Sequence, residues 1–217
     1  LAIPTYIMAF TYGDFLSFTG PIQTFFRNNF NEIYYLFNKD YLQIEILAII
    51  LGLALYPYIY SVSRVSFSLI GLNYINLSKN LGLSSLKTFV KIILPLSSPA
   101  IFSGLFLVIM EVLNEYGAVK YFGVNTYTTG IFRAWFSMND ISSAIILALI
   151  LMLLVFFLFF LEKNYHSKYK FNYSSNTKIQ NLSEVSLVKK VIIHITCLIP
   201  FLLGFIIPLF YTINNSI

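Results

Sequence analysis

The sequence predicts an all-α fold, a polytopic bundle of transmembrane helices with about five spans. Of the 217 residues, 58% are hydrophobic and 11% are charged, whereas an ordinary soluble domain is about a quarter charged. Long stretches without a charged residue recur along the chain, and about 20 apolar residues let a helix cross a bilayer. The basic residues are concentrated in alternate loops. These three observations exclude an ordinary soluble domain and make membrane lipid the expected surroundings.

The predicted spans are residues 1–13, 41–63, 96–114, 141–161 and 191–213. Segment 1–13 is too short to cross a bilayer by itself. The chain also begins without Met and ends abruptly after an apolar segment. We therefore expect both ends to be truncations of a longer membrane protein.

The distribution of Lys and Arg predicts the orientation of these spans. Loops 64–91 and 162–190 hold ten of the 14 basic residues, and loops 14–40 and 115–140 hold the other four. Because an excess of Lys and Arg marks the cytoplasmic side, the first, third and fifth spans should run outward and the other two inward. Spans separate the cations, so they form no continuous patch for nucleic acid.

Segment 73–95 is a basic, amphipathic interruption between the second and third spans. A first helix is predicted by apolar residues at helical spacing, namely Tyr74, Leu77 and Leu81. Gly82 follows, the residue type expected where a helix ends in a left-handed turn. Ser84 or Ser85 could cap a second helix, whose apolar positions are Leu86, Phe89, Val90 and Ile93. Pro95 then predicts a helix boundary before the next span.

Amphipathicity alone leaves two interpretations of this segment, a loop lying on lipid headgroups or a docking element for a soluble partner. The spacing favours docking, because Gly82 is followed after nine residues by Ile92, any residue, Leu94 and Pro95. This pattern resembles the cytoplasmic EAA loop of ATP-binding-cassette importer permeases. In that family the loop carries a coupling helix that sits in a groove of the ATPase subunit.

The resemblance implies ATPase subunits as partners and a set of coupling positions. We expect Gly82 to form the turn, and Leu86 and Phe89 to make the apolar contact. The family's Glu-Ala-Ala is here Asn76-Leu77-Ser78, so Asn76 can form a hydrogen bond but not an ion pair. The predicted coupling residues are Asn76, Gly82, Leu86, Phe89, Ile92, Leu94 and Pro95.

Two further stretches are similar to ferric-iron importer permeases, residues 1–27 and 111–136. The most specific piece is YFGVNTYTTGIFRAW, residues 121–135. The resemblance implies a multi-pass protein of the bacterial inner membrane that translocates ferric iron delivered by a periplasmic ferric-iron-binding protein. It also implies that residues 1–161 are spans three to six of the first half of a two-half permease. Residues 162–190 would be a cytoplasmic linker, and 191–217 the first span of the second half.

Other functions remain open at this point. Permeases of the same class carry sulfate, thiamine or polyamines, and an ion-gradient-driven secondary transporter is a more distant alternative. The chain lacks the Gly-x-x-x-x-Gly-Lys-Ser/Thr spacing of a phosphate-binding loop, so it should be a non-catalytic subunit. The single Cys197 and the isolated His166 and His194 predict neither a metal site nor a cofactor.

The remaining candidate residues lie within or outside the spans. Glu111, Asn114 and Glu115 have the spacing of one helix face, and a carboxylate in hydrocarbon should face a watery path or another helix. They are therefore candidates for the translocation path or for a structural interhelical contact. On the predicted outer side, the candidates for binding-protein contact are Asp14, Tyr121 and Arg133. Aromatic residues there could also form an interfacial belt.

Overall fold

The computed structural model describes residues 3–29, 42–70, 72–168 and 187–215, which are helical with short connections and contain no strand. The helices are α1 Thr5–Leu16, α2 Pro21–Asn29, α3 Ile44–Leu69, α4 Leu72–Asn80, α5 Ser85–Asn114, α6 Gly117–Tyr121, α7 Tyr127–Phe132, α8 Ile141–Lys168 and α9 Leu187–Asn214. A π-helical turn, Arg133–Ser137, directly follows α7.

Four of these helices, α3, α5, α8 and α9, are long and apolar enough to cross a membrane. Helices α5, α8 and α9 each cover a predicted span, and α3 covers span 41–63 from residue 44 onward. Helix α1, with 12 residues, covers most of the short first one. The prediction of an all-α polytopic membrane protein is therefore confirmed.

The ends of α8 show where one span begins and how far it extends. Asp140 caps its first turn, since the Ser143 N–H and hydroxyl donate to the Asp140 carboxylate at 3.0 and 2.5 Å. The Ser143 hydroxyl is the main cause that lowers the pKa of Asp140. The helix continues beyond residue 161 to Lys168, and α9 begins at Leu187. Both ends of the predicted linker 162–190 are therefore helical, and residues 169–186 lie outside the described ranges.

The prediction that Pro95 marks a helix boundary is wrong, because α5 runs through it from Ser85 to Asn114. Proline lacks an N–H and its ring clashes with the carbonyl four residues earlier. A π-helical turn, Phe89–Ile93, precedes Pro95, and in it the Leu94 N–H donates to the Phe89 carbonyl. This wider turn lets the helix absorb the proline. The same arrangement recurs in α9, where the turn Leu202–Ile206 precedes Pro208.

The described residues fall into two compact units, which cut across the long helices. The first unit contains the described residues of 1–55, 112–151 and 187–217, and the second those of 56–111 and 152–186. The first therefore holds α1, α6 and α9, and the second holds α4 with most of α5.

In the first unit, α1 packs closely against α6 and the end of α9. A Cβ atom on Gly117 would lie 2.8 Å from the Tyr6 Cβ, which is shorter than an ordinary contact, so only glycine allows this approach. The side chains of Met8 and Ala118 are fully buried there. The Tyr12 hydroxyl donates to the Leu203 carbonyl and fastens α1 to α9.

In the second unit, α5 contacts both α3 and α8. A Cβ atom on Gly104 would lie 3.0 Å from the Ile59 Cα, so the two backbones approach as closely as small residues in membrane helices allow. One residue earlier, the Ser103 hydroxyl donates to Glu162 at 2.9 Å. A movement of α5 in this unit would therefore be transmitted directly to α3 and α8.

Candidate functional site

The predicted helix–turn–helix is present as α4 and the start of α5, which we call the elbow (residues 72–95). Gly82 has a φ of +72°, and the Leu83 N–H donates to the Ser78 carbonyl at 3.0 Å. A bond of this kind, together with a glycine of positive φ, is the Schellman motif that commonly ends helices. The predicted turn at Gly82 is confirmed.

A buried hydrogen bond fastens the two arms of the elbow. The Thr88 hydroxyl donates to the Ser78 hydroxyl oxygen at 3.0 Å, and the Ser78 hydroxyl donates to the Ile75 carbonyl at 2.7 Å. Both hydroxyl side chains are buried. Sequence reasoning missed this link, although Ser78 is the last residue of the triplet that departs from the family's Glu-Ala-Ala. Its only sequence signal was a pair of small hydroxyl residues ten positions apart.

The second arm begins at Ser85 with Ser84 in the N-cap position, where the Ser84 side chain makes no capping hydrogen bond. The Ser84 carbonyl accepts the first bond of the helix, from the Thr88 N–H at 2.9 Å. Of the two serines predicted as caps, Ser84 occupies the N-cap position, but its hydroxyl does not cap the helix.

The elbow presents apolar side chains that the rest of the described chain does not cover. Leu86 is 77% exposed. Phe89 is less free, because its ring lies 6.4 Å from the Phe67 ring, centroid to centroid. Among the other predicted coupling residues, Asn76, Leu94 and Pro95 are exposed and Ile92 is half-buried. The large apolar residues exposed on the described part of the elbow are Leu77, Leu81, Leu86, Phe89, Val90 and Leu94.

The structure corrects the grouping of Glu111, Asn114 and Glu115 on one helix face. Helix α5 ends at Asn114, and the Glu115 carboxylate turns towards α1 and α6. It accepts a hydrogen bond from the Thr5 hydroxyl and another, at 2.9 Å, from the Ala118 N–H.

Glu115 is 8% exposed, and its two hydrogen bonds link the start of α6 to α1. Glu111 and Asn114 have exposed side chains. A role of these two residues in a translocation path stays a prediction.

On the predicted outer side, a cleft of about 740 Å³ lies between α6, α7 and the turn after α7. We call it the basic cleft, because both Lys120 and Arg133 line it. Neither cation is paired with a carboxylate within the described ranges. The Lys120 ammonium lies 5.2 Å from the centre of the Tyr116 ring, which itself stacks on Phe132 at 4.0 Å. Within the described part of the chain, the cleft therefore offers two positive charges beside stacked aromatic rings.

Threonine hydrogen bonds shape the loop that forms this cleft. Thr126 and Thr129 make a reciprocal capping box at the start of α7, and the Thr128 hydroxyl donates to the Leu113 carbonyl at 2.7 Å. These bonds satisfy backbone groups that a short helix leaves free. They fix Arg133 at the end of α7.

A second cleft in the same unit, of about 630 Å³, is lined by tyrosines of three helices, Tyr6, Tyr121 and Tyr211. We call it the tyrosine cleft. At its edge the Tyr211 hydroxyl donates to the Asp14 carboxylate. This bond places the ends of α1 and α9 side by side, as expected for two segments that cross the membrane in the same direction.

Gly13 makes room for Tyr121 in the tyrosine cleft, since a Cβ atom on Gly13 would lie 2.4 Å from the Tyr121 ring. Partial burial, and secondly the Asp14 carboxylate, raise the pKa of Tyr121. Asp14 and Tyr121 therefore belong to one cluster with Tyr211, which sequence reasoning missed. Arg133, predicted with them as a binding-protein contact, lines the other cleft.

Comparison with known proteins supplies the family. Residues 1–170 match the model of a family described as "binding-protein-dependent transport system inner membrane component". The chain is also 35% identical over 97 residues to the Fe(3+)-transport system permease protein FbpB 2 of Haemophilus influenzae. That match covers 42% of this chain and 19% of the relative, so the chain corresponds to a small part of that protein.

No solved structure matches the chain. The family model, in contrast, covers most of it, including the elbow, the basic cleft and three of the four long helices. The chain belongs to the family of inner-membrane components of binding-protein-dependent transport systems, and it is a multi-pass protein of the bacterial inner membrane.

Proposed function

We propose that this chain is part of the permease of an ATP-driven importer that takes ferric iron from a periplasmic binding protein. The elbow carries the proposal of ATP coupling. Its left-handed Gly82 forms the turn between α4 and α5, and the exposed Leu86 lies in the segment that resembles a coupling helix. The identity to an Fe(3+) permease over 97 residues supports ferric iron as the substrate.

In this proposal, the ATPase subunits close on ATP and push the elbow, which acts as a lever. The Thr88–Ser78 hydrogen bond keeps its two arms together. The contacts of Gly104 with α3 and of Ser103 with α8 pass the displacement to neighbouring helices. Coupling requires an element with two arrangements that a partner biases, and the helices of the second unit are that element.

Uptake by the reconstituted system tests the proposal. The full-length permease, its ATPase subunits and the binding protein are placed in proteoliposomes and supplied with radiolabelled ferric iron. We expect uptake that requires both ATP and binding protein and that excess sulfate, thiamine or spermidine does not inhibit. Uptake of one of these solutes in place of iron would reassign the substrate. Uptake driven by an ion gradient without ATP would point to a secondary transporter.

We further propose that the basic cleft is the contact for the binding protein, because Lys120 and Arg133, which pair with no carboxylate among the described residues, fit acidic side chains. An Arg133→Glu permease should need on the order of tenfold more binding protein for half-maximal uptake, with a larger effect at low salt. Its maximal rate should stay unchanged, since a charge at the rim of an interface acts mainly on association.

A matched charge reversal provides the control for this prediction. Lys163 is an exposed cation on the predicted cytoplasmic side, so Lys163→Glu should leave the dependence on binding protein as in the wild type. If Arg133→Glu shows the wild-type dependence at both low and high salt, the basic cleft is not the contact.

A further inference from the structure

We propose that the tyrosine cleft is a transit site for the ferric ion, with Asp14, Tyr121 and Tyr211 as its oxygen ligands. This inference rests on the proposed function, because it assumes that the imported solute is iron. It goes further in naming the residues of the permease that would hold the ion.

Oxygen ligands from three helices lie in or beside one cleft, since Tyr121 and Tyr211 line it and Asp14 is bonded to Tyr211. The Asp14 carboxylate and the Tyr211 hydroxyl are joined by a hydrogen bond. Tyr121 lines the same cleft as Tyr211, and its ring lies directly over Gly13, next to Asp14 in the chain. Neutral oxygen groups of Thr212 and Asn215 complete the lining on the side of α9.

The donors suit a hard trivalent cation. Ferric iron prefers anionic oxygen ligands to the thiolates that select soft metals, and tyrosine is among its protein ligands. Binding would displace the phenolic protons of Tyr121 and Tyr211 into water, with no change of oxidation state. The two phenolates and the Asp14 carboxylate then carry three negative charges, which balance the charge of the ion.

The position also suits transit. Asp14, Tyr121 and Asn215 follow or end segments predicted to emerge on the outer side, so an ion released by the binding protein would meet them first. A cleft of about 630 Å³ leaves room for water or a small chelator to complete the coordination shell. The hydrogen bond between Asp14 and Tyr211 holds these two ligands next to each other before an ion binds.

Absorption spectroscopy of the purified full-length permease tests this site. Ferric nitrilotriacetate is titrated into the protein in detergent, and a visible tyrosinate-to-iron charge-transfer band is recorded. We expect the band in the wild type, a weaker band in Tyr121→Phe and in Tyr211→Phe, and none in the double variant. Gallium(III) should compete for the site and zinc should not.

Two variants separate a ligand role from a structural one. Asp14→Asn keeps an oxygen that can accept the Tyr211 hydrogen bond but removes the charge, so it should weaken iron binding at least tenfold with an unchanged Tm. Tyr60→Phe, at an exposed tyrosine of α3 outside the cleft, should retain the wild-type band. A band that survives in the double variant, or its absence in the wild type, would overturn the site.

Iron uptake by the reconstituted complex, measured in parallel, distinguishes failure of the site from failure of the function. Uptake of ferric iron by a wild-type complex that shows no band overturns the transit site and leaves the proposed function intact. A complex that imports another solute and no iron overturns both. A band and uptake that fall together in Tyr121→Phe and Tyr211→Phe support both.

Discussion

A Gly82→Val permease is expected to assemble with its ATPase subunits, which still hydrolyse ATP, yet to import its solute at less than about a tenth of the wild-type rate. Gly82 has a φ of +72°, and an L-residue in this region costs about 1–2 kcal/mol, more when it is β-branched. A Cβ atom there would meet nothing within 4 Å. The substitution therefore acts through the backbone angle of the elbow and not through a clash.

The measurement for this prediction is the number of solute molecules imported per ATP hydrolysed in proteoliposomes. Gly82→Asn is the matched variant, because asparagine tolerates the left-handed conformation and should keep most of the coupling. If Gly82→Val imports at the wild-type rate, the turn does not transmit force and the coupling role of the elbow is wrong.

Local rules were sufficient to predict the elbow, because each of them acts within one or two helical turns. Apolar spacing defined both arms, and the need for a residue with positive φ identified Gly82. The error at Pro95 also has a local origin. The same proline ends a helix or is absorbed by it, depending on whether the preceding turn widens, and the π-helical turn Phe89–Ile93 has no residue signature comparable to a left-handed glycine.

The clefts could not be predicted in the same way, because their residues are far apart in the chain. Asp14 and Tyr211 are separated by 197 positions, and no spacing rule reaches that far. The distribution of charges predicted that both residues lie near the outer side, but it could not predict that they are in contact. Their side-by-side position depends on packing between α1 and α9.

Glu115 illustrates the opposite case: the sequence contains a sign of a helix break near it, but the spacing of Glu111, Asn114 and Glu115 suggested a continuous helix. Its spacing from Glu111 suggested one continuous helix face, whereas α5 ends at Asn114. Gly117, two residues later, was the available signal of a break. Glycine is required there because α1 approaches so closely that a Cβ would lie 2.8 Å from the Tyr6 Cβ.

A Leu86→Asp permease is expected to fold and insert normally but to lose its ATPase subunits, and with them nearly all ATP-driven uptake. Leu86 is 77% exposed, so its replacement removes little packing within the permease. In the proposed interface, a buried leucine contributes about 1.5–3 kcal/mol, and an unpaired carboxylate would have to be desolvated as well. Together these effects should weaken ATPase binding by more than about a hundredfold, as measured by co-purification of the subunits.

Leu187→Asp is the matched control for this prediction. Leu187 is 78% exposed and lies on the same predicted side of the membrane, but outside the elbow, so this variant should retain the ATPase. Equal loss in both variants would indicate a general effect of charge on that surface. Retention of the ATPase and of uptake in Leu86→Asp would show that the elbow is not the docking element. Leu86 tests docking better than Phe89 does. A substitution of Phe89 would also remove its contact with Phe67, so a loss of ATPase binding could come from altered packing within the permease.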